Sequence, residues 1–179
     1  TVSTQRLVRL INDILDVEKI ATGKLAYNMQ RQPLAALVRQ ALRETQAYAD
    51  EHRVRIELAP VDDVQVMADA DRIVQVCVNL VSNAVKFSPA GQAVKVSVED
   101  IGPVARVSVV DRGPGVPPQF RERMFERFAQ ADGSDRRAQG GTGLGLNISR
   151  SIVAAHGGRI DYTSEPQVRT EFFFELPAA

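Results

Sequence analysis

Leu7, Leu10, Ile14, Val17 and Ala21 recur at spacings of three and four, with Val8, Ile11 and Leu15 beside them. That predicts an opening helix with a wide apolar stripe, suited to a bundle, which Thr22-Gly23 stops. Leu25, Tyr27 and Met29 alternate with polar residues and predict a short strand. Pro33 opens a helix to about Asp50 with Leu34, Leu37, Val38, Ala41 and Leu42 inward. Val54, Ile56 and Leu58 form a period-two strand, and Val64 and Val66 a shorter one. Asp69 caps a helix that runs to Phe87 and is stopped by Ser88-Pro89. Residues 93–100 and 104–110 read as a hairpin turning at Gly102-Pro103, and residues 111–141 as a long charged Gly/Pro connection with a short helix over 120–128. A helix over 144–156 ends at Gly157-Gly158, followed by strands over 159–163 and 170–176. The order predicts an α+β fold: a two-layer sandwich whose mostly antiparallel, mixed sheet packs against helices, preceded by one bundle helix.

Composition removes several function classes. The 179 residues are 44% hydrophobic, with 22 basic and 22 acidic side chains, two His, one Cys and no Trp. That is an ordinary globular balance, so disorder and disulfide scaffolds are excluded, and Cys77, in an apolar stretch, reads as a buried inert thiol. The longest apolar run is the five residues 34–38, far short of a membrane span. No segment carries a basic excess, so nucleic acid is not an expected partner. Glycine is the informative residue: nine of the twelve lie between Gly113 and Gly158, where some loop needs bare backbone.

Three constellations could carry chemistry. Asn79, Asn83 and Lys86 share one stripe of an otherwise apolar helix, at spacings of four and three. Two interior amides need partners, either surface water or an oxygen-ligated Mg²⁺ with a phosphate chain. Asp111-Arg112-Gly113-Pro114-Gly115 follows a strand, and Pro118 excludes the dinucleotide-binding glycine pattern. What remains is a fixed carboxylate beside bare backbone; an ionised Asp only accepts hydrogen bonds and would choose the amino group of adenine over guanine. The run 140–146, Gly-Gly-Thr-Gly-Leu-Gly-Leu, opens a helix without the Lys-Ser or Lys-Thr of a P-loop. It is either a hinge or an anion-binding helix start.

In this order the three resemble the N, G1 and G2 boxes of the ATP-binding domain of sensor histidine kinases, of the GHKL or Bergerat superfamily. The resemblance spans most of the chain. Phe125-Glu126-Arg127-Phe128 looks like the F box of the ATP lid, and His156-Gly157-Gly158 like the usual end of the helix after G2. Residues 7–25 are similar to the end of the second dimerisation helix and its linker. The implied organisation is a dimerisation-helix remnant over 1–23 and an ATP-binding domain over 24–179, with the lid at about 116–141.

The resemblance also implies roles. Asn83 would coordinate Mg²⁺, Asn79 would order the metal's surroundings and Lys86, next to Phe87, would contact phosphate. Asp111 would bind the adenine amino group, with Gly113, Gly115 and Val116 giving the base room and Thr170 joining through water. Gly141, Thr142, Gly143, Leu144 and Gly145 would wrap the phosphates. Gyrase-type and MutL-type hydrolases generally carry Glu where Asn79 stands; an amide cannot take a proton, which favours phosphoryl transfer. The implied partners are a dimerisation domain carrying the phosphoacceptor His and a response-regulator receiver domain, within a homodimeric parent working in the cytoplasm. Neither His52 nor His156 lies in an H-E-x-x-N motif, so both read as structural, and the chain alone is expected to bind ATP without phosphorylating itself. The family's G-x-G before the last strand is replaced by Gln167-Val168-Arg169. A degenerate nucleotide-binding module and a hydrolase of the gyrase kind stay open as alternatives.

Overall fold

A computed structural model describes residues 2–116, 123–126, 144–165 and 167–179. Among the described residues eleven elements follow one another: α1 (Val2–Ala21), β1 (Gln30–Pro33), α2 (Leu34–Glu51), β2 (Arg55–Leu58), β3 (Gln65–Ala68), α3 (Ala70–Phe87), β4 (Ala93–Asp100), β5 (Val104–Asp111), α4 (Gly145–Ala155), β6 (Arg159–Glu165) and β7 (Arg169–Pro177). The main sheet has the order β2-β4-β5-β7-β6, and β1 pairs with β3 in a second, two-stranded sheet. Only the β2–β4 pairing is parallel, so the main sheet is mixed and mostly antiparallel.

Alternation along β4 and β5 sends Val94, Val96 and Val98 and Ala105, Val107 and Val109 to one face, where Phe174 and Leu176 of β7 join them. The helices cover that face with Leu34, Val38, Ile73, Cys77, Leu80, Ile148 and Ile152, making one continuous core. The expected two-layer α+β sandwich is therefore the observed one. Burial holds the thiol of Cys77 up at about 12, so it is a core side chain and not a nucleophile.

The strand expected over Leu25 to Met29 lies elsewhere. It begins at Gln30, in register with Ala68, and ends at Pro33 opposite Gln65. The preceding residues are held by side-chain partners: the Asn28 N–H donates to Asp69 Oδ2 at 2.9 Å, and the Tyr27 ring meets His156 edge-on at 5.3 Å. Pro33 stands at the N-cap of α2 with extended backbone, one position before the first helical residue. Most of the short helix expected over 120–128 lies outside the described residues. Within residues 123–126 the Glu126 N–H closes a turn on the Arg123 carbonyl.

The wide stripe of α1 divides into two faces. Leu10, Val17 and Ile20 pack against the domain, whereas Leu7, Val8, Ile11, Ile14 and Leu15 are exposed. A polar clamp fixes the packed side. Asp16 Oδ2 accepts from Arg72 Nη1 and Gln75 Nε2, each at 3.2 Å, and Arg72 also donates to Gln75 Oε1 at 3.0 Å. Among the described residues no helix is long and apolar enough to cross a membrane.

Candidate functional site

Asp69 caps α3 by accepting from the Arg72 N–H at 3.2 Å. From there the helix carries Asn79, Asn83 and Lys86 along one edge, all half-buried. Asn79 bridges helices: its Nδ2 donates to the Gly145 carbonyl at 3.3 Å and to Ser149 Oγ at 3.1 Å. It therefore anchors the first turn of α4, where Leu144 is the N-cap. No hydrogen bond among the described residues uses the side chain of Asn83, one helical turn further on. Lys86 reaches over the Phe87 ring with Nζ 4.9 Å from its centroid.

Across from α3, β5 ends in Asp111, 5% exposed. Its Oδ1 accepts from the Gly113 N–H at 2.8 Å, closing a tight Asx turn. Burial pushes this carboxyl up to about 6, and the Gly113 N–H works against that rise. Gly113 itself is dictated by packing. A Cβ there would lie 2.3 Å from the Phe87 carbonyl oxygen, so the end of α3 and the turn after β5 touch backbone to backbone. Phe87 thus meets the expected site through its carbonyl, and Gly115 follows with φ +84, a conformation that disfavours any Cβ.

The sheet register completes the floor. Asp111 pairs with Thr170 of β7, and Thr170 with Ser164 of β6. Thr170 is buried, its Oγ1 lies 3.2 Å from Ser164 Oγ, and Ser164 Oγ accepts from the Val116 N–H at 3.1 Å. In the next row Tyr162 and Phe172 stack with centroids 5.6 Å apart. The structure therefore gathers Asp111, Gly113, Gly115, Val116 and Thr170 at one end of the sheet. The Phe87 end of α3 touches it, and Lys86, Asn83 and Asn79 follow back along the same helix.

Ser164 was missed by sequence reasoning. Its signal is positional: with the β6–β7 turn centred at Gln167, Ser164 falls opposite Thr170, but that register is unknown until the turn is. The turn is made without the expected glycines, by Gln167 at φ +66 and a Val168 N–H to Glu165 carbonyl bond of 2.9 Å. Leu144 is 1% exposed with its side chain in the core. Gly141, Thr142 and Gly143 lie outside the described residues, as do Arg127 and Phe128 of the expected F box. Its described part is tied to α4: Asn147 Nδ2 donates to the Phe125 carbonyl at 3.1 Å, and Met124 is buried.

Both histidines are structural. His156 Nδ1 lies 2.7 Å from the Ile152 carbonyl, and its Nε2 accepts from the Asp69 N–H at 3.1 Å. This neutral ring ties the end of α4 to the start of α3. His52 caps α2, with Nδ1 3.0 Å from the Tyr48 carbonyl. Gly158 serves packing, because a Cβ there would sit 1.9 Å from the Glu175 carbonyl oxygen.

Known proteins share this arrangement. Sensor histidine kinase WalK of Bacillus subtilis is 34% identical over 176 residues, which are 97% of this chain and 29% of that protein. The structure of full-length ShkA in complex with AMPPNP superposes with a TM-score of 0.85 at 34% identity, over 99% of this chain and 37% of that one. A complex of histidine kinase ThkA with the response regulator protein TrrA matches at TM-score 0.75 and 28% identity, over 98% of this chain and 49% of that one. The chain spans 11% of the length of one curated relative that it matches and 45% of another. Residues 68–179, from the last residue of β3 through the whole of the site, match the family described as "Histidine kinase-, DNA gyrase B-, and HSP90-like ATPase", and the chain belongs to that family.

Proposed function

We propose that this chain is the ATP-binding catalytic part of a two-component sensor histidine kinase. It transfers the γ-phosphoryl group of Mg-ATP to a histidine on the dimerisation domain of its parent, for onward transfer to a response-regulator receiver domain. The bond from the γ-phosphorus to its bridging oxygen breaks, a phosphorus–nitrogen bond to the imidazole forms, and ADP leaves. In the buried slot beside Gly113, Asp111 accepts from the adenine amino group, and Thr170 completes that edge. Bound Mg²⁺ would neutralise phosphate charge. Asn83 fits that ion, as a neutral oxygen donor with no competing hydrogen bond among the described residues. Lys86 adds a positive charge near the phosphates. Residues 141–145 would contact them, and the start of α4 offers N–H groups and a helix dipole that favour an anion.

The observation that carries transfer over hydrolysis is Asn79. It stands where the hydrolases of the resemblance carry their Glu, and both its amide hydrogen bonds go to α4. It has no lone pair basic enough to activate water, so catalysis rests on positioning and charge. The open face of α1, with Leu7, Ile11 and Ile14 exposed, suits a helix bundle formed with a second copy, and this supports a dimeric parent. ATP as substrate fits a cytoplasmic location.

The test mixes this chain with a separately made dimerisation domain bearing a His-Glu motif and ATP labelled at the γ position. Label should appear on that domain, the chain alone should stay unlabelled, and steady phosphate release should be close to nil. An unlabelled domain, where the intact parent labels itself, overturns the proposal. Steady phosphate release by the chain alone would favour hydrolysis instead.

A further inference from the structure

The start of α4 has no side-chain cap and no acidic residue in its first turn, whereas α3 is capped by Asp69. The first N–H groups of a helix find no partner within it, and a start left uncapped is less stable. Among the described residues, the bond that closes α4 at this end runs from the Ile148 N–H to the Leu144 carbonyl at 2.9 Å. Support for residues 145–147 comes from outside the helix, on two sides. From α3, Asn79 Nδ2 donates to the Gly145 carbonyl and to Ser149 Oγ. On the other side, Asn147 Nδ2 donates to the Phe125 carbonyl at 3.1 Å, and the Arg150 guanidinium lies 5.8 Å from the centroid of the Phe125 ring. At about 3.6 residues per turn, Asn147 and Arg150 stand roughly 150° around α4 from Gly145 and Ser149. The two sets of contacts therefore oppose each other across the helix. The turn that Asn147 grips is itself closed: the Glu126 N–H donates to the Arg123 carbonyl at 3.0 Å, the two side chains pair at 3.4 Å, and Met124 is buried.

We infer that Asn147 is a positioning residue for phosphate binding: by holding the Phe125 carbonyl it fixes the first turn of α4, so that the N–H groups there are preset for an anion. This rests on the nucleotide reading above and deepens it. A preset turn spares the ligand the entropy of ordering it. Without Asn147 the turn is held from the α3 side alone, and each phosphate contact must first bring it into place. Asn147 makes no hydrogen bond to Asp111, Gly113 or Thr170, which form the expected nucleoside end of the site. Its removal should therefore be felt by the phosphates and not by the nucleoside.

The experiment measures the dissociation constants of ATP with Mg²⁺ and of adenosine on the 179-residue chain, ATP by calorimetry and adenosine by competition with ATP. Asn147→Ala should weaken ATP about fivefold, as expected for one lost hydrogen bond, and leave adenosine within about twofold. Alanine is the better helix former, so poorer helix propensity cannot produce the loss. Equal weakening of ATP and adenosine, which a merely structural role would give, overturns the inference, and so does an unchanged ATP affinity. If Asn147→Ala does not fold, Asn147→Ser decides, its hydroxyl being too short to reach Phe125, and an unchanged ratio of the two affinities there overturns it. Failure of the nucleotide reading looks different, because the original chain then binds neither ATP nor adenosine.

Discussion

Changing Asp111 to Asn should make the ligand-free protein more stable at neutral pH while removing its hold on adenine. The carboxyl is buried at the end of β5, and burial moves it from its ordinary 3.8 to about 6. The folded value is the higher one. Its contribution to stability is therefore complete below about 4 and is lost as pH rises through about 6. At pH 7 the group is ionised in both folded and unfolded chains. The gap between 3.8 and about 6 then corresponds to a folded-state cost of about 3 kcal/mol, at about 1.4 kcal/mol per tenfold change in proton affinity. Asparagine is close in shape, keeps an oxygen for the Gly113 N–H and carries no charge to desolvate. Its new N–H groups need a partner, and Thr170 is the neighbour across the strand pair. That requirement brings the expected net gain down to about 1–2 kcal/mol. Urea denaturation at several pH values between 4 and 8 reads it directly: the variant should gain about 2 kcal/mol on the original between pH 4 and 7, starting about 1 kcal/mol behind it at pH 4 and leading at pH 7. A stability difference that does not vary over that range, or a variant less stable at pH 7, refutes the reasoning. In the original chain, ATP affinity should fall as pH drops through about 6, when the carboxylate takes a proton.

Gly113→Ala should cost about 2 kcal/mol or more in thermal or urea denaturation and weaken ATP binding, since its Cβ would lie 2.3 Å from the Phe87 carbonyl oxygen. Asn79→Asp removes the amide donor shared by Gly145 and Ser149 and sets a carboxylate against a carbonyl. Urea unfolding should show a loss of about 1–3 kcal/mol, and phosphate release should stay near nil. Asp16→Ala opens the clamp on Arg72 and Gln75. Hydrogen exchange should rise in the second half of α1 while ATP affinity measured by calorimetry stays within about twofold. Gln167→Gly relieves a left-handed backbone worth about 1–2 kcal/mol, against an unfolded-state entropy cost of about 0.5–1 kcal/mol. Urea denaturation should register a net gain of about 0.5 kcal/mol.

Wherever an element's stop signals are local, the sequence announced it. Asp69 and Ser88-Pro89 bound α3 because a cap and a proline act within one turn, and Gly23 and Gly157 end their helices with φ +71 and +77. The strand misplaced onto Leu25, Tyr27 and Met29 shows where locality fails. Its alternation is real, but the partner of Tyr27 is His156, far along the chain, and the pairing that counts is set by β3. The parallel partnership of β2 with β4 is equally invisible to periodicity. Within the site, Asp111 and the glycines could be located by motif, yet the reason for Gly113, a carbonyl at the end of α3, belongs to tertiary packing. Ser164 needed the register of a turn that lacks the expected glycines.

The clamp at Asp16 makes α1 a lever with a fixed pivot. From Asp16 back to Val2 is 14 residues of helix, an arm of about 21 Å at about 1.5 Å per residue. A tilt of about 10° about that pivot sweeps the far end through about 4 Å, roughly two thirds of a helical turn's rise. Arg72, the third residue of α3, holds that pivot through Asp16. From there a straight helix leads to Asn79 and Asn83. A displacement at the end of α1 distant from the domain would thereby be felt at the first turn of the helix that carries Asn79 and Asn83.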